Sequence, residues 1–276
     1  MSDLPATKDS WPEEARAIEQ FVFKVVVPIL YDHGEAGIDQ IGTATLFCIA
    51  DRYFIVTAQH IFNRMEAVRL SYPETPRGIT PYTFGNFRYI TPKDGPDFDI
   101  ALIELEDTET ISRLKAGWQF LSLDNISAPR AQGRFFVTGY PSKLLIPRGG
   151  NLGGTLATVH TDRLLEVPAD AEQPVDLRFD MFFYYAKTAE TLEGAPVNTP
   201  NLEGVSGASV WEYEPRAEGK FWTPLSAIKV VGVQKSFRHS SYFRATRWAA
   251  VAEMLRRIDA QLASTIEEAI AARARA

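Results

Sequence analysis

Short runs of β-branched and aromatic residues, each closed by Gly, Pro, Asp or Asn, fill the chain from about residue 20 to residue 245. Val, Ile, Phe and Tyr favour the extended backbone, and the residues between the runs favour turns. Many short strands with turn signals between them indicate a β-sandwich or β-barrel. The pattern predicts strands at 21–30, 42–49, 53–57, 67–70, 86–90, 100–105, 134–138, 152–160, 175–184, 208–213 and 227–234.

Three other segments break this pattern. Ser10 and Glu13 form a capping box around Pro12 and predict a short helix that ends near Gln20. A polar stretch predicts a connector with a short helix at 110–116. The chain is therefore expected to divide into an N-terminal helical segment (1–19), a first β-barrel (20–105), a connector (106–130), a second β-barrel (131–245) and a C-terminal helix (246–276).

The C-terminal segment has a helical period. Its apolar residues recur at steps of three and four, at Trp248, Val251, Leu255, Ile258, Leu262 and Ile266. One long helix from about residue 247 to residue 272 would measure roughly 40 Å at 1.5 Å per residue. Such a helix either docks on the second barrel or uses its outer half as a surface for self-association.

Composition excludes several classes of function. The 276 residues carry a net charge of −6, which does not favour nucleic-acid binding. No uninterrupted apolar stretch of about 18 residues occurs, so no membrane span is expected. The single cysteine, Cys48, excludes an intramolecular disulfide, and the N-terminus lacks the basic start and apolar run of a signal peptide. The chain is predicted to be cytoplasmic, with no metal and no cofactor.

Three segments in a fixed order carry the chemistry. Residues 57–60 read Thr-Ala-Gln-His, residues 99–102 read Asp-Ile-Ala-Leu, and residues 204–208 read Gly-Val-Ser-Gly-Ala. A serine hydroxyl needs a base to take its proton, and an imidazole needs an acceptor on its second nitrogen. The order His, Asp, Ser is the one found on chymotrypsin-type double β-barrels.

These requirements assign one role to each residue. Ser206 is the candidate nucleophile, His60 the general base and then acid, and Asp99 the acid that orients the imidazole. Asp94 and Asp97 compete with Asp99, which alone directly precedes an apolar run. Ser209 competes with Ser206, which alone stands between two nearby glycines.

The motifs resemble those of trypsin-like (chymotrypsin-fold) serine proteases of the bacterial cytoplasmic type. Residues 42–47 and 53–60 are similar to the family's Gly-Thr/Ser-Gly strand and to the hairpin ending in Thr-Ala-Ala-His. Residues 99–102 and 204–208 resemble its Asp-Ile-Ala-Leu strand start and its Gly-Asp-Ser-Gly-Gly turn, and the likeness spans about 20–272. The resemblance implies an all-β fold of two six-stranded antiparallel β-barrels. It also implies an endopeptidase that hydrolyses a protein or peptide substrate through an acyl-enzyme.

The resemblance also implies where a substrate would bind. The backbone N–H groups of Gly204 and Ser206 would form the oxyanion hole. The family's primary pocket has its floor six residues before the serine, at Pro200, where no acid is available for an Arg or Lys side chain. The strand at 228–236 would pair with substrate backbone, with Gln234, Lys235 and Ser236 as its candidate contacts.

Some positions depart from the family's pattern. Gln59 replaces the usual alanine before the histidine, and Val205 stands where many members have aspartate. Glu193 and Glu203 remain alternative acids for the primary pocket. No Ile-Val-Gly-Gly-like start appears, so activation by cleavage is not expected. The enzyme is expected either to be made in an active form or to be regulated by a partner or a conformational change. The alternative function is a binding or scaffold protein on a protease fold, with a site that is silent or gated by a partner.

Overall fold

The structure is a computed structural model that describes residues 11–34, 37–63, 69–78, 80–92, 98–148, 151–214 and 221–275. Strands dominate it. They are β1 Val26–Asp32, β2 Ile38–Ile49, β3 Arg52–Thr57, β4 Leu70–Pro73, β5 Pro81–Thr83, β6 Phe87–Ile90, β7 Ala101–Leu105, β8 Arg134–Gly139, β9 Leu145–Arg148, β10 Asn151–Gly154, β11 Ala157–Thr161, β12 Arg163–Leu164, β13 Asp180–Tyr184, β14 Thr188–Glu190, β15 Pro196–Asn198, β16 Ser209–Tyr213, β17 Ile228–Arg238 and β18 Tyr242–Arg247.

Helices occupy the two ends and the middle of the chain. The described α-helices are α1 Trp11–Val22, α2 Thr108–Gly117, α3 Pro224–Ala227, α4 Trp248–Arg256 and α5 Ala260–Arg275. Short 3₁₀ turns occur at Gln59–Phe62, Leu123–Asn125 and Ser142–Leu144. Helix α2 begins after Asp107, whose carboxylate accepts a hydrogen bond from the backbone N–H of Thr110. None of the described helices is long and apolar enough to cross a membrane.

Most strands belong to two curled antiparallel sheets of seven strands each. The first has the order β5-β4-β1-β2-β3-β7-β6, and the second has the order β11-β8-β16-β17-β18-β13-β12. The predicted number of six strands per barrel is wrong by one in each sheet. Strands β5 and β12 have three and two residues, which is too short to produce an alternating pattern in the sequence. Among the described residues no ladder joins the two edge strands of either sheet, so both sheets are open.

Three large apolar cores of the described residues hold the sheets and helices together, and a smaller fourth one lies around Phe182 and Tyr242. The first sheet curls around a core of its own, with Ile29, Leu46, Ile55, Ile103 and Trp118. The second sheet does the same, with Phe135, Val137, Phe183, Val231 and Phe243. The third core joins the two sheets to α1, α4 and α5, with Val22, Phe47, Phe136, Trp211 and Trp248. Burial of aromatic side chains on both faces of the central strands therefore fixes one sheet against the other.

The first helix is longer than the sequence pattern predicts. It continues through Val22, and β1 begins at Val26 and not at residue 21. Ala15, Ile18 and Val22 are all buried and recur at helical spacing, so Val22 belongs to the inner face of the helix. This packing outweighs the preference of the segment's β-branched residues for a strand.

The predicted long C-terminal helix is wrong, because the segment forms two helices. Helix α4 ends at Arg256, and the Asp259 carboxylate accepts a hydrogen bond from the backbone N–H of Leu262 at 3.0 Å. An acceptor at this position caps the start of a new helix. Leu262 and Ile266 are buried in the core that joins the sheets, whereas Ile270 is 47% exposed.

Two further expectations about the second sheet need correction. The segment at 152–160 forms two strands, β10 and β11, which lie in different sheets. The strand expected at 175–184 begins only at Asp180, because the Asp180 carboxylate accepts a hydrogen bond from the backbone N–H of Asp176 at 2.7 Å and closes a turn. The strand expected at 67–70 falls partly outside the described residues.

Candidate active site

Two hydrogen bonds join His60 to Asp99 where the adjacent strands β3 and β7 meet. Thr57 pairs with Ala101, so the residues that follow β3 lie beside those that precede β7. Asp99 Oδ1 accepts from the backbone N–H of His60 at 2.9 Å, and Asp99 Oδ2 lies 2.8 Å from His60 Nδ1. A carboxylate at Nδ1 holds the ring proton there and leaves Nε2 as the acceptor nitrogen.

The backbone of Asp99 helps to aim its carboxylate. Asp99 has a φ of 48°, a left-handed conformation that Asp and Asn tolerate better than most residues. Its carbonyl accepts from the backbone N–H of Gln59 at 3.2 Å. The His60 side chain is 40% exposed and that of Asp99 is 16% exposed, so the base is accessible and the acid is largely shielded. Burial, followed by the negative charge of Asp99, raises the pKa of the neighbouring Tyr89 to about 12.

The turn that carries Ser206 is attached to both sheets. The Ser206 carbonyl accepts a hydrogen bond from the backbone N–H of Thr43 on β2 at 2.9 Å. The N–H of Gly207 donates to the carbonyl of Gln234 on β17 at 2.8 Å. Gly207 has a φ of 92°, and a Cβ there would collide with Thr57 Oγ1 and with the Thr43 carbonyl. Only glycine fits this close approach of the turn to the first sheet.

Two backbone donors on this turn have no acceptor among the described residues. They are the N–H groups of Gly204 and Ser206, while the N–H of Val205 between them donates to the carbonyl of Leu202 at 2.9 Å. Gly204 has a φ of 87°, a conformation that glycine adopts without steric cost. Two N–H groups that are free to donate, one on the serine and one two residues before it, are the hydrogen-bond donors that stabilise an oxyanion formed at the serine.

The third contact of a triad is not formed. In the described part of the chain no hydrogen bond joins Ser206 Oγ to the His60 ring. The two segments are nevertheless adjacent, because a Cβ on Gly207 would lie 2.7 Å from the backbone nitrogen of Ala58. Catalytic hydrogen bonds are often long without substrate and shorten in the bound complex.

The competing residues have other positions. Ser209 is buried, and its hydroxyl donates to Thr45 Oγ1 at 2.8 Å in a contact between the two sheets. That contact gives Ser209 a structural role. Asp94 and Asp97 lie outside the described residues.

A cleft of about 620 Å³ opens beside the His60–Asp99 pair. Its first wall belongs to the first sheet and includes Gln59 and Phe98. Its second wall comes from the second sheet and the loop before β13, with Glu172, Asp176, Phe179, Asp180, Lys235, Ser236 and Arg244. The described residues contain no group of three or more His, Cys, Asp and Glu side chains that could hold a metal.

The four residues predicted to contact substrate occupy different places. Lys235 and Ser236 line the cleft, and Pro200 and Gln234 do not. The carbonyl of Pro200 accepts a hydrogen bond from the hydroxyl of Tyr185. The Gln234 side chain is fully buried, and neither its oxygen nor its nitrogen has a partner among the described residues.

Two buried charged residues of the cleft were not predicted from the sequence. Asp180 and Arg244 are 5% and 4% exposed, and Arg244 Nε donates to Asp180 Oδ1 at 2.9 Å. A second bond joins Arg244 Nη2 to Asp180 Oδ2. Strand β18, which contains Arg244, was not predicted because two arginines interrupt its apolar pattern. Its alternation of Tyr, Phe, Arg, Ala, Thr and Arg was the signal that could have found it.

Comparisons with known proteins add little to this geometry. No family model matches the chain, and no curated protein matches it. One similar solved structure concerns the coupled folding and binding of the intrinsically disordered VPg protein of Sesbania mosaic virus; it is 13% identical, with a TM-score of 0.46. The match covers 81% of this chain and 87% of that one. A likeness at this level carries no weight for fold or function.

Proposed function

We propose that this protein is a serine endopeptidase with a chymotrypsin-like arrangement of two β-barrels. The observation that carries the proposal is the doubly hydrogen-bonded Asp99–His60 pair, next to the Ser206 turn. Two N–H groups of that turn have no acceptor among the described residues. A His–Asp pair alone is common in folded proteins, and so is a glycine-rich turn. Their adjacency supplies a base, its orienting acid, a hydroxyl and an oxyanion site in one place.

The reaction follows from these roles. Ser206 Oγ attacks the carbonyl carbon of the scissile peptide bond while His60 Nε2 takes the hydroxyl proton. The oxyanion that forms accepts hydrogen bonds from the N–H groups of Gly204 and Ser206, and Asp99 stabilises the imidazolium. His60 then gives its proton to the leaving amine, which departs as the C–N bond breaks and leaves an acyl-enzyme. Water, deprotonated by His60, hydrolyses the ester and restores Ser206.

The cleft supports a peptide as the substrate. It lies beside His60 and extends along β17, whose Lys235 and Ser236 line it. An extended peptide can add to such a strand through backbone hydrogen bonds. We place the enzyme in the cytoplasm, because a single cysteine suits a reducing compartment. Self-association through the exposed side of α5, near Ile270, belongs to the same proposal.

A second candidate function is a protease-fold binding protein whose site is silent or gated by a partner. The absence, among the described residues, of a hydrogen bond between Ser206 Oγ and His60 favours it. Gln59 lines the cleft beside His60, where its side chain adds bulk next to the base. A regulatory partner that narrows the gap between serine and histidine would then turn activity on.

A fluorophosphonate probe separates the two functions. Such a probe reacts with an activated serine, so the wild type should label, and the Ser206→Ala and His60→Ala variants should not. Loss of the nucleophile or base has cost about 10⁶-fold in rate in a serine protease. Ser209→Ala is the matched control, because this nearby serine is buried and should leave labelling intact. A well-folded wild type that fails to label would refute the endopeptidase and favour the gated or silent protein.

A further inference from the structure

One lysine in the cleft has ammonium donors that the described protein does not use. Lys235 Nζ has a single acidic neighbour, Asp180 Oδ1, at 3.6 Å, and its side chain is 17% exposed. This distance gives an ion pair but no hydrogen bond. None of the described residues accepts a hydrogen bond from Lys235 Nζ. Its three donors are therefore open to a group that enters the cleft.

The acid beside Lys235 is already fully engaged. Asp180 accepts from Arg244 through both carboxylate oxygens, and Oδ2 also accepts from the backbone N–H of Asp176. The Asp180–Arg244 pair is buried and neutral as a unit. The Lys235 charge therefore remains largely uncompensated on the second wall of the cleft.

A β-bulge turns Lys235 toward the cleft. Gln234 pairs with Ala245 and Ser236 pairs with Arg244, so Lys235 is the extra residue without a partner on β18. A bulge redirects the side chain of the extra residue. Lys235 lines the same cleft as His60 and Asp99, whereas Ser206 is not part of the lining. A substrate side chain held there therefore lies on the same side of the site as the His60–Asp99 pair.

We propose that Lys235 selects substrates with an acidic side chain, Asp or Glu, at a position next to the scissile bond. This inference rests on the proposed endopeptidase function and deepens it. Of the other acids of the cleft, Asp99 is bonded to His60 and Asp176 is paired with Arg178. Glu172 is exposed and has no ion-pair partner among the described residues. Removal of the Glu172 charge should therefore strengthen the preference.

Binding to an inactive variant tests the selection without any chemistry. Fluorescein-labelled hexapeptide pools that carry Glu, Gln or Lys at one fixed position are titrated against Ser206→Ala protein by fluorescence anisotropy. A hydrogen bond between the Lys235 ammonium and a Glu carboxylate is stronger than one to the neutral Gln amide. We therefore expect the Glu pool to bind about 10- to 100-fold more tightly than the Gln pool at one of the fixed positions. The protein's net charge of −6 repels acidic peptides overall, so this preference can only arise from a local cation.

Three further variants and one control variant, all in the same background, make the test specific. Lys235→Met should abolish the preference, and Lys235→Glu should reverse it in favour of the Lys pool. Glu172→Gln should enlarge it. Lys229→Met is the matched control, since Lys229 lies on the same strand, donates to the Asp124 carbonyl at 2.7 Å and is not part of the cleft. Circular dichroism verifies that each variant is folded.

The outcomes distinguish this inference from the proposed function. Equal binding of the Glu and Gln pools at every position, or a Glu preference that survives in Lys235→Met, overturns the role of Lys235. Failure of the wild type to label with fluorophosphonate overturns the endopeptidase and leaves the binding result to stand by itself. For an active wild type, the cleavage sites in a peptide library should show the same acidic position.

Discussion

Replacement of Asp99 by Asn tests the orientation of His60 with little change in structure. The Asn oxygen would keep the bond from the backbone N–H of His60, which is 2.9 Å long in the native protein. The Asn amide would face Nδ1 in place of the carboxylate oxygen that is 2.8 Å away. Two donors cannot share this contact, so Nδ1 loses its proton and Nε2 carries it. The ring can then no longer take a proton from Ser206.

The size of the effect follows from this change of tautomer. The equivalent loss in a serine-protease triad has lowered the rate by about 10⁴-fold. That factor corresponds to about 5.5 kcal/mol of barrier at 1.36 kcal/mol per tenfold. Stability should change far less, by about 1 kcal/mol, because one hydrogen bond is kept and Asn tolerates the φ of 48°.

The assay is the rate of fluorophosphonate labelling, followed by gel fluorescence at a fixed probe concentration. Asp51→Asn is the matched control, because Asp51 also has a left-handed backbone, with a φ of 58°, in the turn between β2 and β3. The control should label at the wild-type rate. An Asp99→Asn protein that labels within tenfold of wild type would refute the role given to Asp99.

Three further predictions concern stability. Gly207→Ala should lower the free energy of unfolding, measured in urea, by about 2–5 kcal/mol, because the new Cβ adds backbone strain and steric overlap. Gly34→Ala should lower it less, since a Cβ at Gly34 would meet nothing within 4 Å. Leu262→Ala should lower the free energy of unfolding by about 2–5 kcal/mol in the same assay, because Leu262 is buried. Ile270→Ala should lower it by less than about 0.5 kcal/mol, because Ile270 is exposed. Equal effects of the two changes would contradict the packing of α5 on the core. Burial raises the pKa of Glu19 above its ordinary 4.5, although a hydrogen bond with Thr158 and the charge of Arg16 act in the opposite direction. Folding therefore favours the protonated carboxyl. The free energy of unfolding should fall as pH rises from 4.5 through the pKa of Glu19 in the folded protein. Glu19→Gln should therefore raise the melting temperature at pH 7 and not at pH 4, and an equal shift at both pH values would contradict this.

The positions of His60 and Asp99 could be predicted from the sequence because the signals are local. Each residue adjoins a short apolar run that forms a strand, β3 before His60 and β7 after Asp99. These strands are neighbours in the first sheet, although three other strands lie between them in the chain. The register that joins Thr57 to Ala101 then brings the two side chains together. The same local reading identified most strands, although their ends shifted by several residues.

The remainder depends on contacts between distant residues. Strand β18 was missed because Arg244 indicates exposure in any local pattern, yet it is buried against Asp180, which lies 64 residues earlier in the chain. A buried charge is stable only when its partner is buried beside it, so the sequence around either residue alone does not predict the pair. The break at Asp259 was hidden in a similar way, since an apolar period of three and four continues across it. The burial of the Gln234 side chain likewise could not be inferred from its place on a predicted strand.

The link between the two sheets explains why the segments that carry Ser206 and His60 are adjacent, although no hydrogen bond joins the two side chains among the described residues. Thr57, which ends the strand before His60, donates through its hydroxyl to the carbonyl of Thr43 at 2.7 Å. Thr43 in turn donates to the Ser206 carbonyl from its backbone N–H at 2.9 Å, and to the Gly204 carbonyl from its hydroxyl at 2.8 Å. The backbone of the serine turn is thus fixed to the first sheet by a short chain of hydrogen bonds. A conformational change that aligned Ser206 with His60 therefore needs a movement of the serine side chain or the imidazole, and it need not separate the sheets.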